Sequence, residues 1–194
     1  MRVRESGLTL VELLVASALL GVAAVCCATA LEVLLRAWQA GTALVEEQQT
    51  ARFALDWMVR RLRMADRFTE ATGDAVTFEA DLTSLPESEP HRFCLDEDAG
   101  VLREQIGSDV SRTCSRGGPL NAREGTRGVR VLGLAFAYFD AENQPLLPLP
   151  LGTPELGRIT RIRVEVTLDR NRSGRYEPDR DLVLRGEAAV RGGR

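Results

Sequence analysis

Glu12 is the residue whose chemistry most needs an explanation, because it lies near the start of a long apolar stretch. From Leu13 to Leu31 the chain has 19 residues without a charge, close to the roughly 20 that cross a bilayer as a helix. A carboxylate in lipid costs on the order of several kcal/mol unless a cation pairs with it. We therefore expect a cationic partner for Glu12, or else a position at the cytoplasmic edge of the membrane.

A second cluster of oxygen-bearing side chains lies near the carboxyl end of the chain. The pattern D-x-N-x-S-G matches the first ligand positions and the turn glycine of a calcium-binding loop, and an acidic residue further on would close the set. Arg180 occupies the twelfth position, where glutamate is expected, and neighbouring arginines would oppose a cation. Calcium binding and a plain polar hairpin loop both stay open. The candidate ligands are Asp169, Asn171, Ser173, Asp179 and Asp181.

The remaining reactive side chains offer little for catalysis. The sequence has a single histidine, His91, and it contains no nucleophile elbow, zinc-protease motif, phosphate-binding loop or C-x-x-C pair. The net charge is −3, and every cation is arginine, scattered along the chain. An acidic chain of this kind gives no electrostatic case for nucleic-acid binding. We therefore expect neither an enzyme nor a resident cofactor, apart from the possible calcium.

The amino terminus allows three interpretations. Ala28-Thr29-Ala30 is similar to a signal-peptidase site, but the apolar stretch is longer than a usual signal peptide and contains Glu12. Lipoprotein processing at Cys26 or Cys27 would lack the small residue expected before the acylated cysteine. In the third interpretation a short leader is removed and the helix stays as a membrane anchor.

The third interpretation fits best, because residues 7–14, G-L-T-L-V-E-L-L, resemble the leader signature of type IV pilins and pseudopilins. The resemblance implies that a prepilin peptidase cleaves after Gly7 and methylates the new amine of Leu8, where that signature usually has Phe or Met. It also implies that Glu12 pairs with such an amine during assembly. The implied partners are the peptidase, other minor pilins or pseudopilins, the major subunit and the inner-membrane assembly platform.

Orientation and cysteine chemistry are linked. Arg2 and Arg4 precede the apolar stretch, which predicts a cytoplasmic amino terminus and an outward-facing remainder. Outside the membrane Cys94 and Cys114 can form a disulfide, and closing this loop of about 20 residues would contribute roughly 3 kcal/mol. The alternative is two unpaired thiols. Cys26 and Cys27 are interpreted as small apolar helix residues.

The apolar helix is predicted to continue as an amphipathic one. Residues 1–7 form the leader, 8–31 the transmembrane helix and 32–66 its continuation. A stripe at spacings of three and four supports this continuation: Leu34, Ala37, Gly41, Leu44, Gln48, Ala51, Leu55, Met58, Leu62 and Ala65. Residues 51–65 are also similar to W-type minor pilins and J-type minor pseudopilins.

Residues 67–194 are predicted to form a globular domain of antiparallel strands. Alternating patterns predict strands at 75–81, 92–96, 101–106, 129–139, 160–168 and 182–190. In the fourth of these, Leu132, Leu134, Phe136 and Tyr138 share one face, and the other face has Gly133, Ala135 and Ala137, small enough for another element to approach closely. The fold class is therefore α+β: a long helix packed on an antiparallel sheet, as in pilins.

These features predict a minor pilin or pseudopilin of a type IV pilus or a type II secretion pseudopilus. Such a subunit would wait in the bacterial inner membrane with its globular domain in the periplasm, and would then prime or cap a filament. The alternative is a membrane-anchored binding module, for DNA uptake or adhesion, within the same machinery.

Overall fold

The computed structural model describes residues 10–81, 88–121, 130–169, 173–179 and 181–190, with the backbone alone for residues 39–47. It has the predicted α+β composition, a long helix followed by antiparallel strands. The helix α1 spans Leu10–Arg63, and a short helix α2 spans Thr153–Leu156. The strands are β1 (Arg67–Ala71), β2 (Val76–Ala80), β3 (Glu89–Asp96), β4 (Val101–Ile106), β5 (Gly118–Pro119), β6 (Val131–Phe139), β7 (Arg161–Leu168) and β8 (Leu182–Ala189).

The chain divides into two compact units, Met1–Val45 and Glu46–Arg194. In the first unit, the described residues are the first part of α1. The second unit contains the last part of α1 together with all the described strands. The domain limits predicted from the sequence, at residues 7, 31 and 66, stay predictions.

In the second unit, α1 presents a continuous apolar stripe to the core. Ala51, Met58 and Leu62 are fully buried, and Leu55 is nearly so, as the spacing of these residues predicts. The helix ends at Arg63, within three residues of the predicted end at about Asp66. The physical reason is that the Asp66 amide donates to the carbonyl of Glu79 at 2.9 Å, which draws the chain into the sheet before another helical turn can form.

The described strands form two antiparallel sheets, one of five strands in the order β1-β2-β3-β4-β5 and one of three in the order β6-β7-β8. The strand β7 shows the predicted alternation most clearly, since Ile162, Val164, Val166 and Leu168 are all buried. The two sheets meet where the Tyr138 hydroxyl donates to the carbonyl of Thr72 at 2.8 Å. The single predicted sheet is thus two sheets that share one core.

Two sequence predictions about β6 are wrong. Its inward face contains Val131 instead of Leu132, because a bulge between Val131 and Gly133 shifts the register by one residue. A one-residue shift moves a side chain to the opposite face of a strand. Among the described residues, no element closely approaches the face of small residues: Ala135 is exposed, and a Cβ added at Gly133 would make ordinary contact with Thr167 at 3.7 Å.

The close approach occurs instead at Gly186 in β8. A Cβ added at Gly186 would lie 2.8 Å from Cγ2 of Val59 and 3.1 Å from Cδ1 of Leu55. Real Cβ atoms do not approach other atoms as closely as 2.8 Å, so the absence of a side chain at Gly186 lets α1 pack directly on this strand.

Candidate functional site: the amino-terminal segment and the helix anchor

The first part of α1, Leu10–Trp38, is referred to as the apolar segment. It is 29 residues long, and by length and composition it could cross a membrane. Each of its side chains is exposed in the structure. Apolar side chains exposed on all sides of a helix are typical of a segment that lies in lipid or among other helices.

The hydroxyl groups inside the apolar segment bond to the helix itself. Ser17 Oγ donates to the carbonyl of Leu14 at 2.9 Å, and Thr29 Oγ1 donates to the carbonyl of Cys26 at the same distance. Such bonds satisfy polar groups without water, which a hydrocarbon environment requires. Ser17 and Thr29 are therefore compatible with an apolar environment.

Glu12 lies in the first turn of α1 and is exposed. Gly7 and Leu8, the predicted positions of cleavage and methylation, lie outside the described residues. Glu12 is thus an exposed acid within a segment that is otherwise apolar for the next 19 residues, and its assembly role stays a prediction.

Comparison with known families identifies this segment. Residues 2–25 match the family model described as the prokaryotic N-terminal methylation motif. The chain has a prepilin-type amino terminus. The resemblance drawn from Gly7 to Leu14 is thereby confirmed, and the methylation motif includes Gly7, Leu8 and Glu12.

Two further comparisons accompany the methylation motif. Among solved structures, a type IV-like pilin from Thermus thermophilus is similar to the chain with a TM-score of 0.47 and 11% sequence identity. The similarity covers 76% of this chain and 98% of that pilin. No curated protein matches the chain.

Downstream of the methylation motif, four polar side chains fasten α1 to the five-stranded sheet, and we refer to Trp57, Arg61, His91 and Glu104 as the helix anchor. Trp57 Nε1 donates to Oε2 of Glu104 at 2.9 Å. Arg61 Nε and His91 Nδ1 lie 3.5 Å and 3.3 Å from Oε1 of the same carboxylate. One buried carboxylate thus joins two residues of α1 to strands β3 and β4.

The anchor keeps Glu104 charged although its side chain is only 7% exposed. Burial raises the pKa of Glu104, but hydrogen bonds from His91 and Trp57 and the charge of Arg61 outweigh burial and lower the pKa below its ordinary value. Because its partners Trp57 and Arg61 belong to α1, the charged Glu104 carboxylate stabilises the packing of the helix on the sheet.

Sequence reasoning missed the helix anchor because its members are far apart in the chain. Trp57 and Glu104 are 47 residues apart, and no local pattern links them. One signal was available: Glu104 alternates with Leu102 and Ile106, so an acid shares one face of a predicted strand with two apolar residues. A buried acid requires a partner, and Arg61, on the neighbouring helix, is one.

The predicted cysteine pair is present. Cys94 of β3 is linked to Cys114, and the enclosed loop is organised around the fully buried side chain of Gln105. Gln105 Nε2 donates to the carbonyl groups of Thr113 at 3.0 Å and Arg116 at 3.2 Å. The disulfide and this amide together hold the loop on the sheet. Cys26 and Cys27 of the apolar segment are free thiols.

The candidate calcium residues lie between β7 and β8. The Asp169 carboxylate accepts hydrogen bonds from the amides of Ser173 at 3.0 Å and Gly174 at 2.9 Å, and Asp181 Oδ2 accepts from the amide of Glu177 at 2.6 Å. Asp179 is exposed, and Asn171 lies outside the described residues. Within the described part of the chain, no group of three or more His, Cys, Asp or Glu side chains could hold a metal. Two of the carboxylates therefore shape the loop, and calcium binding stays a prediction.

Proposed function

We propose that this chain is a minor pilin or minor pseudopilin, a structural subunit that helps to prime or cap a type IV pilus or a type II secretion pseudopilus. The observation that carries the proposal is the methylation motif at residues 2–25, whose second part, from Leu10 to Val25, belongs to the apolar segment. The similarity of residues 51–65 to W-type and J-type subunits supports the minor role.

The role of the amino terminus follows from electrostatics. Cleavage after Gly7 would create an ammonium group on Leu8, four residues before Glu12. In a low-dielectric environment each charge is costly alone, and their pairing offsets much of that cost. An incoming subunit whose amine meets Glu12 of a neighbour is then favoured in one register, so Glu12 sets the position of the subunit in the filament.

The location and partners follow from this role. The precursor is held in the bacterial inner membrane by the apolar segment, with the second unit in the periplasm, where the disulfide Cys94–Cys114 is stable. Prepilin peptidase processes it, and it then joins other minor subunits and the major subunit on the assembly platform.

The mature amino terminus tests the proposal. We expect mass spectrometry of the protein from its native membrane to find N-methyl-Leu8 as the first residue. A mature chain that begins at Leu31 would reject the proposal, since it would show cleavage after Ala30 and loss of the apolar segment. An uncleaved Met1 would reject it equally.

A matched pair of variants tests the assembly role of Glu12. Glu12→Gln should leave processing intact but reduce incorporation into filaments by roughly tenfold, the equivalent of about 1.4 kcal/mol. Glu32→Gln is the control, because Glu32 is an exposed acid of the same segment, paired with Arg36 at 3.5 Å. Equal incorporation of the two variants would contradict the assigned role.

A further inference from the structure

The segment between β4 and β5, residues 107–117, contains Cys114 and is referred to as the disulfide loop. Where the loop ends, Arg103 Nη1 donates to the carbonyl of Gly117 at 3.2 Å. Gly117 has a φ of +99°, and a Cβ added there would collide with the carbonyl oxygen of Glu104. Glycine therefore lets the loop return closely to the strand. The loop is held against β4 by contacts that do not involve sulfur.

The side chain of Gln105 attaches the disulfide loop on both sides of Cys114. Its Oε1 accepts a hydrogen bond from the amide of Ser111 at 3.1 Å. Its Nε2 donates to the carbonyl groups of Thr113 at 3.0 Å and Arg116 at 3.2 Å. Gln105 is fully buried, and a buried amide that loses its partners is costly, so these bonds favour the docked loop. One side chain thus fixes the backbone that flanks the cysteine.

Cys94 meets the disulfide loop from the neighbouring strand. It lies opposite Arg103 in the pairing of β3 with β4, and Gln105, two residues after Arg103, therefore lies on the same face of the sheet as Cys94. Cys94 is only 4% exposed, whereas Cys114 is half-buried. The two sulfur atoms thus differ in their access to solvent, and a thiol reagent from solvent reaches Cys114 more easily.

We propose that Gln105 is a positioning residue for the oxidation of this cysteine pair, and that it docks the disulfide loop on β4 before the disulfide forms. The oxidant is a disulfide from solvent, either glutathione disulfide or an oxidised dithiol oxidoreductase. The Cys114 thiolate attacks it first, forms a mixed disulfide and releases one thiol. The Cys94 thiolate then attacks the sulfur of Cys114 and expels the second thiol. Two electrons and two protons pass from the cysteines to the oxidant, and the docked loop accelerates the second step by holding the two sulfur atoms together.

Hydrogen exchange tests whether the loop is docked without the disulfide. The full-length protein with Cys94→Ser and Cys114→Ser is studied in detergent by mass spectrometry of overlapping peptides that cover the loop. We expect the Ser111 amide to stay protected, and we expect Gln105→Met, which fills a similar space without hydrogen bonds, to lower this protection at least roughly tenfold. If the loop of the double serine variant exchanges as fast as an unfolded peptide, the inference is wrong, and this measurement does not depend on whether Gln105→Met folds.

Reoxidation kinetics separate positioning from a general effect on the fold. Cys26 and Cys27 are replaced by alanine so that only the pair reacts, and the reduced protein is mixed with glutathione disulfide, quenched and analysed by mass spectrometry. We expect glutathione on Cys114 first. Gln105→Met should slow closure at least roughly tenfold while the addition of glutathione stays within about threefold.

The matched control is Thr77→Val, which removes a buried hydroxyl of the same sheet that accepts a hydrogen bond from Arg92 at 3.0 Å. Its closure rate should stay within about twofold of the rate of the chain with Thr77. Equal closure rates for Gln105→Met and Thr77→Val, an equal slowing of both steps by Gln105→Met, or first modification at Cys94 would each overturn the inference.

Discussion

The two parts of α1 are both helical, but they differ in how much of their apolar surface is buried. In the apolar segment, Leu20 is 71% exposed, and the side chains on every side of the helix around it are exposed too. After residue 48, Leu62 and Met58 are fully buried, while charged residues such as Arg60 lie on the opposite face. One helix therefore contains a segment whose apolar side chains are exposed and a segment whose apolar side chains are buried in the core of the second unit.

This difference is encoded in the sequence by what separates the apolar residues. Between Leu13 and Leu31, alanine, glycine, serine, threonine and cysteine fill the positions between leucines and valines, so no charged face arises. In the later part, arginine and aspartate recur at helical spacing on the side opposite the apolar stripe. The helix there has one buried apolar face and one exposed charged face. The two patterns predict that equal substitutions will have unequal effects in the two parts.

The largest expected difference comes from truncating one leucine in each part. Leu62→Ala should lower the free energy of unfolding of the second unit by about 3 kcal/mol, because it leaves a cavity in a packed core. Leu20→Ala should change that free energy by less than about 0.5 kcal/mol. Urea unfolding of the full-length protein in detergent, followed by tryptophan fluorescence, measures both. Similar losses for the two variants would contradict the division of α1 into the exposed apolar segment and a last part, after residue 48, that packs in the core and is called the core-type part.

A smaller effect is expected where the core-type part of α1 meets β8. Gly186→Ala should destabilise the second unit by about 2 kcal/mol, because its methyl group would overlap Val59 and Leu55. The matched control is Gly133→Ala in the same sheet, where the added methyl makes ordinary contact with Thr167. The same unfolding experiment compares them. If both variants are equally stable, α1 does not lie as close to β8 as the structure indicates.

The parts of the structure that the sequence predicts are those set by local periodicity. The buried stripe of α1 and the alternation of β7 depend on residues two to four positions apart, and both are confirmed. The inward face of β6 could not be predicted, because the bulge at Val131 arises from pairing with β7, where the partner of Val131 is Leu168, 37 residues further along the chain.

The candidate site divides in the same way. The methylation motif is contiguous, so it could be recognised from sequence, and residues 2–25 match the family model. The roles of Gly7, Leu8 and Glu12 within it stay predictions. The helix anchor could not be recognised in this way, because it joins side chains that are far apart in the chain, such as Trp57 and Glu104, 47 residues apart. No local sequence motif around either residue indicates that the two side chains meet.

The smallest expected effect concerns the helix anchor, which fastens only the core-type part of α1. The pKa of Glu104 is lower in the folded protein than its ordinary value, so its charged form stabilises the fold. That contribution is fully present above the unfolded-state pKa of about 4.3 and is lost as the pH falls through the folded-state pKa. Glu104→Gln should therefore cost on the order of 1 kcal/mol at neutral pH.

The discriminating measurement is the pH dependence of this loss. The stability difference between wild type and Glu104→Gln should shrink as the pH is lowered below about 4.3, because wild-type Glu104 also becomes neutral. Urea midpoints of both proteins between neutral pH and acid pH give this difference directly. A difference that stays constant with pH would show that the variant acts through packing of the side chain, and that α1 is fastened to β4 by shape rather than by the charge of Glu104.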